Sequence, residues 1–130
     1  YDDAEFGLVH ENGTNTSADD LSNGKANTDA IMRRWDSAYF PAFTWCRNIG
    51  SNWYLPAVEE LLTISRNVNE INTTLSACGG VQLNSWYWSS TENQEMWLSD
   101  TYALDVSMGA SNHGSDPKNS PINVRAVTTF

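Results

Sequence analysis

The chain of 130 residues has few basic side chains, and this shortage excludes several classes of partner. Seven Lys and Arg residues stand against 16 Asp and Glu residues, which gives a net charge of -9. Because the basic residues are scattered, we expect no patch that could neutralise a run of phosphates, and therefore no nucleic acid partner. No apolar run reaches the length of a membrane helix, and the chain begins at Tyr1-Asp2-Asp3 without a signal segment. We expect a mature protein or an excised domain with no direct membrane insertion.

Cysteine is also scarce, since Cys46 and Cys78 are the only two in the sequence. Two cysteines exclude a four-cysteine zinc site and a dense disulfide scaffold. They are compatible with one bridge that closes a loop of about 30 residues, if the domain is displayed outside the cell. They are equally compatible with two buried helix thiols, because a free cysteine behaves as a small apolar residue.

Motifs for catalysis are missing as well. The sequence contains no metalloprotease helix motif, no nucleophile elbow and no phosphate-binding glycine loop. Its two histidines, His10 and His113, fall in a predicted edge strand and a predicted loop. Asp100, Asp105 and Asp116 could pair, but acids in polar loops usually face water. We therefore expect no enzymatic activity, no metal site and no cofactor.

Apolar residues make up 40% of the sequence, which is enough to form the core of a single domain over residues 1–130. Residues 5–10 predict a short strand and residues 11–27 a polar loop. Asn27 or Thr28 is expected to cap a first helix in which Ile31 and Trp35 share a face. The predicted helices that follow span residues 41–49, 57–66 and 68–77, the first two with a proline in the first turn and the last with a capping box from Asn67 to Glu70.

The second half of the chain favours aromatic and β-branched residues and predicts strands at residues 86–90, 102–108 and 122–128. Helices in the first half and strands in the second half indicate an α+β domain rather than a parallel α/β one.

Three motifs in this order support a family resemblance: WYLPAVEEL at residues 53–61, YWSSTE at residues 87–92, and VRAV at residues 124–127 before the closing Phe130. They resemble the C-terminal domain family of bacterial collagen-like surface proteins, a branch of the C-type-lectin-like fold. GKANT at residues 24–28 is similar to the leader into the first helix of that family. Formylglycine-generating enzymes and the variable proteins of diversity-generating retroelements share the fold and similar signatures.

The resemblance implies that the motifs mark the fold rather than a ligand. Trp53 and Trp88 would be buried rings and Leu55 a core residue. The hydroxyl groups of Ser89, Ser90 and Thr91 would form hydrogen bonds with backbone groups where a strand leaves the core. Trp86 or Tyr87 could still serve as an exposed platform on which a sugar stacks.

Departures from the relatives narrow the function. The tripeptides of calcium-dependent sugar binding are absent, and no cysteine follows Cys78 as it does in formylglycine-generating enzymes. We therefore expect a non-enzymatic ligand-binding or display module of a bacterial or phage protein, located at the cell surface or outside the cell. Its partner would be a protein or carbohydrate on another cell or surface. The alternative is a structural or adhesive terminal domain of a bacterial surface or pilus protein.

The C-terminal loops resemble a diversified segment. In retroelement variable proteins of this fold, adenines of Asn codons ending in C or T are mutated, and such codons never give Glu, Gln, Lys, Met or Trp. Residues 110–123 contain none of these types except Lys118, whereas residues 94–97 consist of them entirely and would be constant. The same polar composition is also what any loop prefers. Under the variable interpretation, ten ligand-binding residues are expected to be exposed on one face: Ser99, Asp100, Thr101, Asp105, Ser111, Asn112, His113, Asp116, Asn119 and Asn123.

Overall fold

The computed structural model describes residues 4–6, 16–95, 98, 101–110 and 112–129, and these form the predicted α+β arrangement. The four helices are α1 (Gly24–Met32), α2 (Pro41–Ile49), α3 (Val58–Arg66) and α4 (Val68–Ala77). The strands are β1 (Ala4–Phe6), β2 (Trp53–Tyr54), β3 (Trp86–Glu92), β4 (Tyr102–Ser107), β5 (Asn112–Pro117), β6 (Ile122–Val124) and β7 (Val127–Thr128). None of the helices in this part of the chain is long and apolar enough to cross a membrane.

The predicted bounds of α2 and α4 are confirmed, and α3 begins one residue later than predicted, with Ala57 as its cap and Pro56 before the first turn. Pro41 opens α2, where its fixed φ suits the first turn, and Gly50 follows the last helical residue. In α3 the Glu60 carboxylate accepts hydrogen bonds from the backbone N–H of Ala57 at 3.0 Å and of Gly24 at 2.7 Å. One acid therefore satisfies the free N–H groups at the starts of two helices.

The prediction for α1 was wrong at both ends. Its cap is Asn23, whose side chain accepts a hydrogen bond from Ala26 N–H at 3.0 Å, and not Asn27 or Thr28. The side chains of Asn27 and Thr28 point inward instead and bind other segments of the chain. Because α1 ends at Met32, Trp35 is not on its inner face and is 93% exposed.

The capping box predicted at the start of α4 is also absent. The Asn67 side chain donates a hydrogen bond back to the Thr63 carbonyl at 2.8 Å and makes no cap for α4. Asn67 alone separates α3 from α4, so the side chain completes the end of one helix rather than the start of the next.

A five-stranded sheet in the order β1-β6-β3-β4-β5 organises the domain, and β2 and β7 form a separate pair. Within the sheet β3 and β6 are parallel, and the other neighbours are antiparallel. The edge strand β5 corrects the prediction of a loop at His113. The predicted strand at residues 122–128 is divided into β6 and β7, and residues 7–10 of the first predicted strand lie outside the described residues.

Two clusters of buried side chains lie on opposite faces of the sheet. Trp88 and Val124 pack with residues of α1 and α2, among them Ile31 and Phe43. Successive strand residues point to opposite faces, and Tyr87 accordingly packs with α3 and α4. The sheet is therefore covered by helices on both sides.

The motif YWSSTE is part of this packing, as predicted. The Ser89 hydroxyl donates to the Leu104 carbonyl at 2.7 Å, and the Thr91 hydroxyl donates to the Asp20 carbonyl at 2.9 Å. Ser90 instead accepts a hydrogen bond from the Asn27 side chain at 3.0 Å.

Of the predicted core residues, Leu55 and Trp88 are fully buried, whereas Trp53 is only partly buried at the edge of the first cluster.

The two cysteines are free thiols. Cys46 is buried in α2, and Cys78 is exposed directly after α4. The bridge is therefore not formed, and the alternative of two buried thiols is correct for Cys46 only.

Candidate functional site

Seven of the ten predicted ligand-binding residues belong to the described part of the chain, and Ser99, Asp100 and Ser111 lie outside it. Three of the seven are exposed, namely Asn112, His113 and Asn119. Three more are partly buried, namely Thr101, Asp116 and Asn123. Asp105 contradicts the expectation, because it is fully buried.

Strand pairing decides which of these residues come together. On β5, Asn112 and Asp116 share a face with their partners on β4, Ser107 and Ala103. Asp105 belongs to this same face, because it is directly opposite Gly114. His113 lies between Asn112 and Gly114 in the sequence and therefore points to the other face of the sheet.

Asn119 and Asn123 lie outside this grouping. Asn119 is in the turn after β5, and Asn123 is on β6, from which β3 and β4 separate β5. The structure thus brings together Asn112, Asp116 and Asp105, and it holds Asn123 apart from them. The expectation that all ten residues are exposed on one face is therefore wrong for Asp105, which is buried, and for His113, which lies on the other face of the sheet.

The Asp105 site, defined here as Asp105, Asp116, Gly114 and Trp86, combines two carboxyl groups with an indole ring. No hydroxyl, amide or basic side chain of the described residues donates a hydrogen bond to the Asp105 carboxyl group, and its polar side-chain neighbour is the Asp116 carboxyl. A Cβ atom at position 114 would lie 2.9 Å from Asp105 Oδ1 and 3.1 Å from the Trp86 ring. The Asp105 carboxyl and the Trp86 ring thus converge over the backbone at Gly114, in space that any other residue would fill.

Burial raises the pKa of Asp105 to about 8, and the neighbouring Asp116 carboxyl adds to the shift. A carboxyl group removed from water is more stable in its neutral form, and beside a second carboxyl group the neutral form can donate its proton in a hydrogen bond. Asp105 therefore keeps its proton at neutral pH. The site presents a neutral acid below the surface and a second, partly exposed acid beside it.

Of the two aromatic residues considered as a platform, only Trp86 is accessible. Its side chain is 38% exposed, whereas Tyr87 is fully buried on the opposite face of β3. Trp86 therefore offers part of its ring to solvent beside the two acids.

A buried ion pair fixes the segment that follows β5. Lys118 is fully buried, and its Nζ lies 3.0 Å from Glu92 Oε2. The same oxygen accepts hydrogen bonds from the backbone N–H and the hydroxyl of Thr16, at 3.1 and 2.7 Å. The Trp88 indole N–H donates to the Ser120 carbonyl at 3.1 Å, which holds the next turn.

Sequence reasoning missed the roles of Lys118 and Glu92. In the sequence, Lys118 is the single lysine in a run of mostly small polar residues, and this exception indicated that the position is constrained. It did not indicate that Glu92 is the partner of Lys118. In the part of the chain that the structure describes, no three His, Cys, Asp or Glu side chains come together as metal ligands.

The polar side chains on β5 are held in place by the pairing with β4 and by the buried ion pair of Lys118 with Glu92. No protein-family model matches the chain, and a search of curated proteins finds none that is similar to it.

Proposed function

We propose that the protein is a non-enzymatic ligand-binding module with a C-type-lectin-like fold, and that residues 110–123 are the diversified segment of a retroelement variable protein. One observation carries the proposal. Among residues 110 and 112–123, Lys118 is the only buried one, and it is also the only residue of a type that mutated Asn codons cannot give. The exposed residues of the segment, among them Asn112, His113 and Asn119, are all of types that such codons can give.

The coincidence has a physical reason. A position can accept many side chains only if it does not pack in the core, since most substitutions that destabilise strongly act on buried groups. Lys118 balances the buried charge of Glu92 and would have to stay constant. The surrounding positions are exposed or partly buried, and substitution at the exposed ones would alter the surface without altering the fold.

The scaffold below the segment supports the same function. All six residues of β5 pair with β4 in continuous register, so side chains on this edge strand have defined positions. Binding residues usually lie on surface segments that a rigid framework positions. The ligand would be a protein or carbohydrate on another cell or surface, met outside the cell.

The test is to sequence this gene from many members of the source population. We expect substitutions concentrated in codons 110–117 and 119–123, at positions where a near-identical template repeat carries adenine. Codon 118 and codons 94–97, which specify excluded residue types, serve as internal controls and should not vary.

An invariant segment, or variation that includes codon 118 as often as its neighbours, would contradict the proposal. An invariant segment in a gene beside pilus subunits or a collagen-like repeat would favour the structural or adhesive terminal domain instead.

A further inference from the structure

Trp35 is the most exposed large apolar side chain of the described residues. It is 93% exposed, in a turn where the Ser37 N–H donates to the Arg34 carbonyl at 3.3 Å. Tyr39, four residues later, is also exposed. Proteins bury most of the surface of a tryptophan on average, and tryptophan is among the residue types that contribute most to binding at protein interfaces. The exposed ring therefore indicates a contact surface.

The turn that carries Trp35 is anchored on both sides of the ring. The Arg34 guanidinium forms two hydrogen bonds with the Asp36 carboxylate, at 2.8 and 3.0 Å. The same guanidinium lies 4.9 Å from the centre of the Phe40 ring, which is fully buried in the core. The fold thus holds Trp35 outward, and a side chain that is positioned in advance loses less conformational freedom when it binds.

The segment around this turn is positively charged, in contrast to the rest of the chain. Residues 25–47 contain four basic and two acidic residues, whereas the remaining residues contain three basic and 14 acidic ones. Arg33 is exposed, and none of the described acids forms an ion pair with it. A surface that fits the turn would combine an apolar recess for Trp35 with an acid for Arg33.

A surface of this kind lies on α4 of the same chain. Glu70, Ile71, Thr74 and Leu75 line an open groove of about 350 Å³, called here the α4 groove. Ile71 and Leu75 are partly buried and supply its apolar lining, and Glu70 is exposed with no ion pair to a described basic residue. A cavity of about 150 Å³ holds a benzene ring, so the groove has room for an indole ring.

We propose that the chain associates with itself head to tail, with Trp35 of one copy in the α4 groove of the next. The indole ring packs on Ile71 and Leu75, and the Arg33 guanidinium pairs with the Glu70 carboxylate. Both surfaces are open in a single copy, and they are complementary in charge and in apolar character. The contact uses no residue of β5 and is independent of the proposed function.

The positions of the two surfaces decide the kind of assembly. Phe40, at the end of the turn, belongs to the cluster on the α1 and α2 side of the sheet. Ile71 and Leu75 belong to the cluster on the α3 and α4 side. A copy that inserts its turn into a neighbour therefore presents its own groove on the side away from that neighbour. Such a contact does not close between two copies, and it adds further copies in a row or a ring.

The experiment is sedimentation velocity from about 10 µM to about 1 mM protein at about 0.15 M salt. We expect the native protein to form species larger than a dimer as its concentration rises. Trp35→Ala and Glu70→Arg should each weaken association at least about tenfold. Leu21→Ala and Glu59→Arg should associate like the native protein. They are matched controls, because Leu21 is another exposed apolar residue and Glu59 another exposed acid in the first turn of a helix. Circular dichroism verifies that each variant is folded.

A mixture of the two deficient variants tests the head-to-tail arrangement. Trp35→Ala keeps an intact groove and Glu70→Arg keeps an intact turn, so their equimolar mixture should form dimers and no larger species. Arg33→Glu combined with Glu70→Arg in one chain should restore association, because the two charges are exchanged. Three results would each overturn the inference: a native protein that is monomeric at about 1 mM or stops at a dimer, deficient variants that associate like the native protein, or a mixture that remains monomeric.

Discussion

At the scale of single residues, the ionisation of Asp105 makes the free energy of unfolding depend on pH in the direction opposite to that of the acids with lowered pKa, such as Asp29. The folded protein holds the Asp105 proton with a pKa of about 8, against an ordinary value of 3.8. Between these two pH values the folded state binds more protons than the unfolded state, so the free energy of unfolding falls as the pH rises. The contribution of this group is fully present below the lower value and is lost as the pH passes the upper one.

Asp105→Asn removes this dependence without a large change of size. We expect the variant to exceed the native protein in stability at pH 9 by about 1–3 kcal/mol, the usual cost of a buried polar group that its surroundings do not satisfy. The advantage should shrink toward pH 5, because the free energy of unfolding of the native protein rises as the pH falls from about 8 toward 3.8. Urea unfolding at pH 5, 7 and 9 measures it, with Asp19→Asn as the control. A difference that is the same at all three pH values would contradict the assignment.

The sequence predicted some residues well and Asp105 poorly, for a physical reason. The buried hydroxyls of Ser89 and Thr91 could be predicted because they belong to a recognisable motif on one strand. Asp105 was expected to face water, because an acid usually does. Its burial depends on Trp86 and Trp88 of the neighbouring strand, and no local pattern contains that information.

At the scale of secondary structure elements, the Lys118 ion pair joins three segments that are far apart in the sequence. Glu92 ends β3, Lys118 follows β5, and Thr16 precedes α1, and all three meet at one carboxylate oxygen. The pair is fully shielded on the lysine side, so removal of one partner leaves a buried charge without compensation.

Lys118→Met should therefore lower the free energy of unfolding by about 3–5 kcal/mol. The double variant Glu92→Gln with Lys118→Met should recover part of that loss, because it removes both charges. Lys25→Met is the matched control, since Lys25 forms an ion pair with Asp29 in which both side chains are partly exposed. It should change stability by no more than about 0.5 kcal/mol. Urea unfolding of the four proteins gives the comparison, and equal losses for both single lysine variants would refute it.

Elements with local signals were predictable, and elements that depend on a partner were not. The bounds of α2 to α4 follow from the first-turn proline of α2, from the acidic residues in the first turns of α3 and α4, and from apolar spacing within each helix. By contrast β5 has the sequence NHGSDP, which lacks residues that favour strands, and it is extended because β4 pairs with it. The candidate site depends on strand pairing in the same way. The sequence predicted Asn112 and Asp116 as site residues, but it did not predict that they share a face of the sheet with Trp86.

At the scale of the whole molecule, the order of elements was sufficient to predict an α+β domain. It was not sufficient to decide the state of the cysteines, because a bridge depends on the distance between α2 and the end of α4. The structure places Cys46 in the core and Cys78 at the surface. Burial raises the pKa of the Cys46 thiol well above its ordinary value, which makes it unreactive.

We expect one thiol to react with Ellman's reagent in the native protein and the second to react only after unfolding in urea. Cys78→Ser should remove the fast reaction, and Cys46→Ser should leave it in place. No reactive thiol in urea without a reductant would show that the bridge exists after all.

The strand pairing also orders the events of folding. The three strands β3, β4 and β5 follow one another in the chain and pair as neighbours. The pair of Ala4 with Val124, however, joins residues that are most of the chain apart. The pair of Trp53 with Thr128 joins residues that are more than half of the chain apart. Contacts of such large sequence separation form slowly, because a long loop must close before the contact stabilises it. A ribosome must therefore have released the chain through residue 124 before the sheet can be closed at its β1 edge.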